Sequence, residues 1–238
     1  MIKLVTFQKR GSHLTRSEFA ERWLTVHGPI AARFPGLRGY MLGFSIEDGE
    51  PQADGIAQLW FDNRAAAQAS YASEIGRNGS ADASAHLARR EHLLASETWR
   101  KCEKALSDIP YKAVVAAKRA KGMARGDFVT WWTRDALADL GERLGAINIR
   151  ASVDDAGQML NSGTTGTLDL IAGEAVVDGL LEFWFASEAA LRSALPVLRD
   201  EANVIAPQVS ALETAALREH VVVEPPPPAF GSTSGMRP

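Results

Sequence analysis

The residues best suited to chemistry gather around one histidine. His27 stands four positions after Trp23, at the end of the stretch FAERWLTVHGPI. Side chains four apart lie on one face of a helix, so His27 falls beside the apolar stripe that Trp23 belongs to and can face a pocket. A histidine titrates near neutrality and can take or give a proton. His27 is therefore the first candidate for general acid-base catalysis. Tyr40, Asp54 and His92 are its candidate partners, carried on strands or strand ends. Trp23, Trp60, Phe44 and His220 are candidates for contacting an aromatic substrate. Each has a structural alternative: His27 can bond a carbonyl freed at a kink, Asp54 can form the turn before Gly55, and the aromatic rings can be core.

The helix that presents His27 has a clear beginning. Thr15 and Glu18 have the spacing of a capping box. Phe19, Trp23, Val26 and Ile30 then form one apolar stripe. Pro29 lacks an N–H, and Gly28 before it resists helical dihedrals. The helix is expected to end or kink near His27, where a helix C-terminus would favour the imidazolium.

Strands are expected at residues 2–9, 37–46, 56–61 and 93–99. Helices are expected from Asn63 to residue 75 and over 81–90, with Gly76 to Gly79 as an interruption. The order is strand, helix, strand, strand, helix, strand. Residues 105–224 give the same order. Lys3-Leu4-Val5 is answered by Lys112-Ala113-Val114, and Phe19 and Trp23 by Phe128 and Trp132. Asp54-Gly55-Ile56 is answered by Asp178-Gly179-Leu180, and Arg90-Glu91-His92 by Arg218-Glu219-His220. Ala136 falls at the position of His27, so chemistry is expected in the first half. The segment 154–177, rich in Gly, Thr and Ser, reads as a lid or an edge hairpin. A Pro-rich flexible tail is expected over 225–238.

Composition narrows the class. The net charge of −3 gives no basis for a nucleic-acid partner. The single cysteine, Cys102, cannot form an intrachain disulfide. The five histidines lack metal-site spacing, so no metal is expected. There is no nucleotide-binding loop, and no cofactor is expected. No stretch is apolar for long enough to span a membrane. The opening MIKLVTFQKR reads as a strand and not a leader, so a cytoplasmic location is the simplest expectation.

The first half resembles the EthD domain of the dimeric alpha+beta barrel superfamily. The resemblance is carried by Lys3-Leu4-Val5, by Phe19 and Trp23 leading into His27-Gly28-Pro29, by Pro35-Gly36-Leu37, and by Asp54-Gly55-Ile56-Ala57 before Leu59-Trp60-Phe61. It implies an α+β fold of two ferredoxin-like domains, 1–104 and a degenerate 105–224, packed as a barrel within one chain, with a homodimer as a further assembly. It also implies a cofactor-independent lyase (a dehydratase, decarboxylase or cyclase) acting on a small aromatic, ketone-bearing or polyketide-like compound. A non-catalytic carrier of a hydrophobic metabolite and a monooxygenase are the alternatives.

Overall fold

A computed structural model of the 238-residue chain describes residues 1–136, 140–157, 159–161, 168–171 and 174–227. In the first half, strand β1 (Ile2–Arg10) leads to helix α1 (Arg16–Arg22), a π turn (Trp23–His27) and α2 (Gly28–Ala31). Then come β2 (Leu37–Ser45), β3 (Gly55–Phe61), α3 (Arg64–Ala72), α4 (Glu74–His86) and β4 (Leu87–Cys102). The second half contributes β5 (Tyr111–Arg119), α5 (Arg125–Arg134), α6 (Leu140–Arg143), β6 (Asn148–Asp154), β7 (Met159–Asn161) and β8 (Asp169–Ile171). It ends with β9 (Gly179–Phe185), α7 (Glu188–Ile205) and β10 (Val209–Val223).

The strands hydrogen-bond in the order β1-β3-β2-β10-β5-β9-β6-β4-β7-β8, and β1 also pairs with β4. This corrects the expectation of two ferredoxin-like domains packed as a barrel: the chain is a single α+β domain with one sheet. The cause lies in β4 and β10, 16 and 15 residues long, about three times a common strand of 5–6. Each changes partner partway along. β4 pairs with β1 up to Ala95 and with β6 from Ala95 onward. β10 pairs with β5 up to Arg218 and with β2 from Leu217 onward. Strand edges that two separate sheets would leave bare are thereby satisfied.

The same registers correct one of the sequence matches. Lys3 faces Ala95, and Lys112 faces Leu217. Thr6 faces His92, and Val115 faces Thr214. The counterpart of His92 is therefore Thr214, and the similarity of Arg90-Glu91-His92 to Arg218-Glu219-His220 is out of register.

Side chains alternate between two environments. On the face of β1 that carries Leu4, the core is filled by Phe19, Trp23, Tyr40, Leu42 and Phe44 under the helices. In the second half Phe128 and Trp132 stack at 5.3 Å, much as Phe19 and Trp23 do at 5.0 Å, and Ala136 is buried beside them. The opposite face carries Val5, Ile56, Leu93, Val114, Leu180 and Leu217, and beside them a buried charge network. The Glu182 carboxylate accepts from Lys3 Nζ (2.8 Å), Lys112 Nζ (2.9 Å), Arg150 Nε (2.8 Å) and Gln58 Nε2 (2.5 Å). Lys3 and Gln58 come from the first half and the others from the second, so the carboxylate ties the halves together. Burial opposes its ionisation, but Arg150, Lys112 and Lys3 outweigh burial and hold it well below the usual carboxylate range. The Arg150 guanidinium is framed by the rings of Trp99, Trp184 and Trp60, 4.9, 4.9 and 5.4 Å away.

The helical hairpin over the first half departs from expectation. Asn63 caps α3, its side chain accepting from Ala66 N (2.9 Å). Ser73 caps α4 through Gly76 N (3.0 Å), and α4 then runs unbroken through Gly76 and Gly79 to His86. β4 therefore begins at Leu87, where a helix over 81–90 was expected. These glycines are contact points and not breaks. A Cβ on Gly76 would lie 2.2 Å from Ser70 O, and one on Gly79 2.9 Å from the Phe34 ring. Gly76→Ala is expected to destabilise the protein by about 1–3 kcal/mol, the usual range for overpacking. Urea unfolding checks this, and an unchanged midpoint would refute the contact.

The segment 154–177 contributes an edge hairpin. β7 pairs with β8 and meets β4 at His92 opposite Leu160. Leu160 and Leu168 are buried in the first-half core. The middle of this segment, with most of its Gly-Thr-Ser run, lies outside the described residues. Most of the 225–238 tail does too. Its start crosses β2, with Pro225 Cα 2.6 Å from where a Cβ on Gly39 would stand.

Candidate functional site

The sequence reads a helix end or kink near His27, and the structure shows a wider turn there with the helix continuing beyond it. Gly28 N–H reaches back to Trp23 O, one residue further than in an α-helix, and the chain continues into Gly28–Ala31. The bulge shifts the hydrogen-bond register at the point where Pro29 has no donor to give. Gly28 is needed because a Cβ there would lie 2.8 Å from Trp23 O. His27 thus sits inside a continuous helical path, and the expected C-terminal dipole is not at its ring. Trp23 stacks on the His27 ring, with centroids 4.2 Å apart.

His27 is buried, and its Nδ1 lies 3.0 Å from Asp82 Oδ2 on α4. Asp82 also pairs with Arg22, and its carbonyl bonds His86 Nδ1 at 2.8 Å. Asp82 is held below the usual carboxylate value, chiefly by the His27 hydrogen bond, with Arg22 and His86 adding to it. A depressed carboxylate stabilises the fold at pH above its unfolded value of about 3.9. That contribution is lost as pH falls through the lower folded value. Asp82→Asn is therefore expected to lower stability at neutral pH and to matter progressively less in strong acid. Denaturant titrations of both proteins across that range read it; a pH-independent difference would show that the charge is not the cause.

His27 lines a cavity of about 30 Å³ between the helices and the sheet. That is room for water-sized contents. The strands supply Thr6, Gln8, Tyr40, Arg90 and His92 to its walls, and α3 and α4 supply Tyr71 and Ser80. Three of the four catalytic candidates read from sequence, His27, Tyr40 and His92, thus meet in one place. Their chemistry differs. Burial, reinforced by Arg90, pushes His92 down to about 3, so it is neutral at physiological pH. Its Nδ1 is 2.8 Å from Thr6 Oγ1. Burial raises Tyr71 to about 12 and Tyr40 further still, so both phenols stay protonated.

The other candidates stand elsewhere. Asp54 accepts from Arg10 N at 3.0 Å and pairs with Arg10 and Lys9, which anchors a turn. Asp178 does the same with Arg119 in the second half. Trp60 lies on the opposite face of the sheet and donates from Nε1 to Glu97 at 3.2 Å. Phe44 and His220 meet edge to face at 5.7 Å, where β2 pairs with β10, and neither lines the cavity. Trp23 is fully buried and supports His27 from beneath. Asp82, Tyr71 and Arg90 were not read as site residues. A carboxylate on α4 carries no spacing signal that links it to a histidine 55 residues earlier.

Comparison with known proteins agrees with this geometry at the level of the fold. Residues 12–91 match the EthD domain, and this stretch holds His27, Tyr71, Asp82 and Arg90. Over 66 residues the chain is 32% identical to an uncharacterized 11.0 kDa protein in the thcB-thcC intergenic region of Rhodococcus erythropolis. The match takes in 27% of this chain and spans 64% of that relative. The crystal structure of an anthrone oxidase-like protein is similar with a TM-score of 0.63 and 8% identity, over 93% of this chain and 92% of that one. A Lactobacillus acidophilus protein provisionally assigned as a monooxygenase gives a TM-score of 0.54 and 8% identity, over 94% and 96%. At such identities the likeness is one of fold, and it extends over both halves of the chain. Among the described residues, no helix is long and apolar enough to cross a membrane.

Proposed function

We propose that the chain is an oxygen-using enzyme, a monooxygenase acting on a small aromatic compound that carries an acidic C–H. The observation that carries this reading is His27 on the wall of the cavity, with its Nδ1 3.0 Å from Asp82 Oδ2 outside the lining. Asp82 accepts the Nδ1 proton and fixes the tautomer, leaving Nε2 as the base. Trp23, stacked at 4.2 Å, keeps the ring from turning. His27 removes a proton from the substrate, and the protonated phenols of Tyr40 and Tyr71 hydrogen-bond its carbonyl oxygen. The resulting carbanion delivers its electrons to dioxygen. In balance, a ring CH₂ and O₂ become C=O and H₂O, so the substrate itself is the reductant.

The fold likeness to proteins named as an anthrone oxidase-like protein and a monooxygenase favours this chemistry over the lyase reading. The cavity volume of about 30 Å³ suits dioxygen, so a ring enters only when the wall of α3 and α4 draws back. Anthrone is the probe substrate. The expected result is oxygen uptake at an electrode matched by disappearance of anthrone, both abolished under nitrogen. Turnover of a ketone or aromatic panel that continues under nitrogen would replace this reading with a lyase. Binding without turnover would replace it with a carrier.

A further inference from the structure

We infer that the protein has a second ligand site, on the other face of the sheet, for a small apolar molecule that ends in an ammonium or similar cation. The inference is independent of the proposed function. Thr6 and Gln8 of β1 line the His27 cavity. Phe7 between them takes the opposite face, where it lines two adjoining cavities of about 230 and 160 Å³. Gln52, Ala53, Ala116 and Glu213 also line both, so the two are parts of one cleft beside the loop that joins β2 to β3. Roughly 150 Å³ of apolar space holds a benzene ring. Either part therefore has room for a ring, which the cavity of about 30 Å³ beside His27 lacks.

The floor and the rim of the cleft differ in chemistry. Phe7, Ile56, Val114, Ala116, Val177 and Ala215 belong to the apolar cluster on this face. The rim is ionic, and its two arginines are committed. Arg199 donates to Glu47 Oε2 at 2.8 Å and to Thr214 Oγ1 at 3.3 Å. Arg89 donates to Gln52 O at 2.9 Å and pairs with Glu91 at 3.7 Å. Glu50 is held by Lys9 and Arg10. Glu213 is exposed, lines both parts of the cleft and has no ion-pair partner among the described residues. An apolar body gains by leaving water for the floor, and a cationic end gains from the Glu213 carboxylate. An anionic end meets that carboxylate and finds both arginines already engaged.

The test is equilibrium dialysis of the whole protein at neutral pH against three probes of one ring system. These are 1-naphthylmethylamine, a cation, 1-methylnaphthalene, uncharged, and 1-naphthoate, an anion. The amine is expected to bind about tenfold more tightly than the acid, because an exposed charge contact is worth about two- to fivefold and attraction here replaces repulsion. The hydrocarbon is expected to fall between them. Glu213→Gln removes the attraction alone, so the amine is expected to weaken by about two- to fivefold and the hydrocarbon to stay unchanged. Ala53→Trp fills the cleft from the loop and is expected to displace all three, and His27→Ala none. No uptake of the amine by the native protein overturns the inference, whether or not the variants fold. So does equal affinity for the three probes, or uptake that survives Ala53→Trp in a protein of native circular dichroism. Loss of uptake in His27→Ala would place the amine in the other cavity and overturn it as well. None of these readouts uses oxygen, so failure of the oxygenase reading leaves them standing.

Discussion

Anthrone turnover by His27→Ala is expected to fall by about 10²–10⁴, the usual contribution of a positioned acid-base group. The fold is expected to survive. His27 is buried, but Asp82 keeps its ion pair with Arg22 when the imidazole is gone. The loss should therefore appear as turnover and not as unfolding. Asp82→Asn is expected to lose less, because the imidazole remains and only its tautomer is freed. Initial rates of oxygen uptake, together with circular dichroism and thermal unfolding, separate these effects. A loss smaller than tenfold in a folded His27→Ala protein would show that another group is the base.

The second large effect concerns the other face of the sheet. Glu182→Ala leaves Lys3, Lys112 and Arg150 buried around a missing carboxylate. Removing one partner from a buried charge cluster costs about 3–5 kcal/mol. Typical total stabilities are about 5–15 kcal/mol, so the variant should stand near the limit of folding. Glu97, whose side chain is 24% exposed, contacts the same Lys3 and Arg150 at 3.5 and 3.3 Å. Water can replace part of what it supplies, so Glu97→Ala should cost clearly less. Urea midpoints for the two variants give the comparison. Equal midpoints would mean that Glu182 does not hold the halves together.

These two sites were not equally legible in the sequence. The His27 helix was, because capping and periodicity are local properties. Thr15 and Glu18 form both bonds of the capping box. Alternation over residues 37–46 puts Tyr40, Leu42, Phe44 and Ile46 on one face; the first three share the first-half core, whereas Ile46, past the end of β2, packs against the second-half core. Trp60 was harder. Every residue of β3 is buried, and a strand covered on both faces gives no alternation from which to read which side a residue takes. The charge network was illegible for a related reason: Lys3, Gln58, Glu97, Lys112, Arg150 and Glu182 lie on β1, β3, β4, β5, β6 and β9, and only the register brings them together.

The path of the chain was misread where length or missing atoms decided it. Nothing in the composition of β4 or β10 marks the residue at which the strand changes partner, so one sheet was read as two domains. Gly76 and Gly79 looked like helix breakers, because glycine is usually a weak helix former. Their role depends on Ser70, Tyr71 and Phe34, which approach only in the folded chain. The π turn is similar. Pro29 announced a disruption, but the helix could widen because Gly28 leaves room beside the Trp23 carbonyl.

The most direct test of the central claim is a single incubation of the protein with anthrone under isotopically labelled dioxygen. Mass spectrometry then reads the product. The account predicts a new carbonyl that carries one labelled oxygen atom, with the product and its label both falling steeply in His27→Ala. An unlabelled product, or the same rate in His27→Ala, would contradict it.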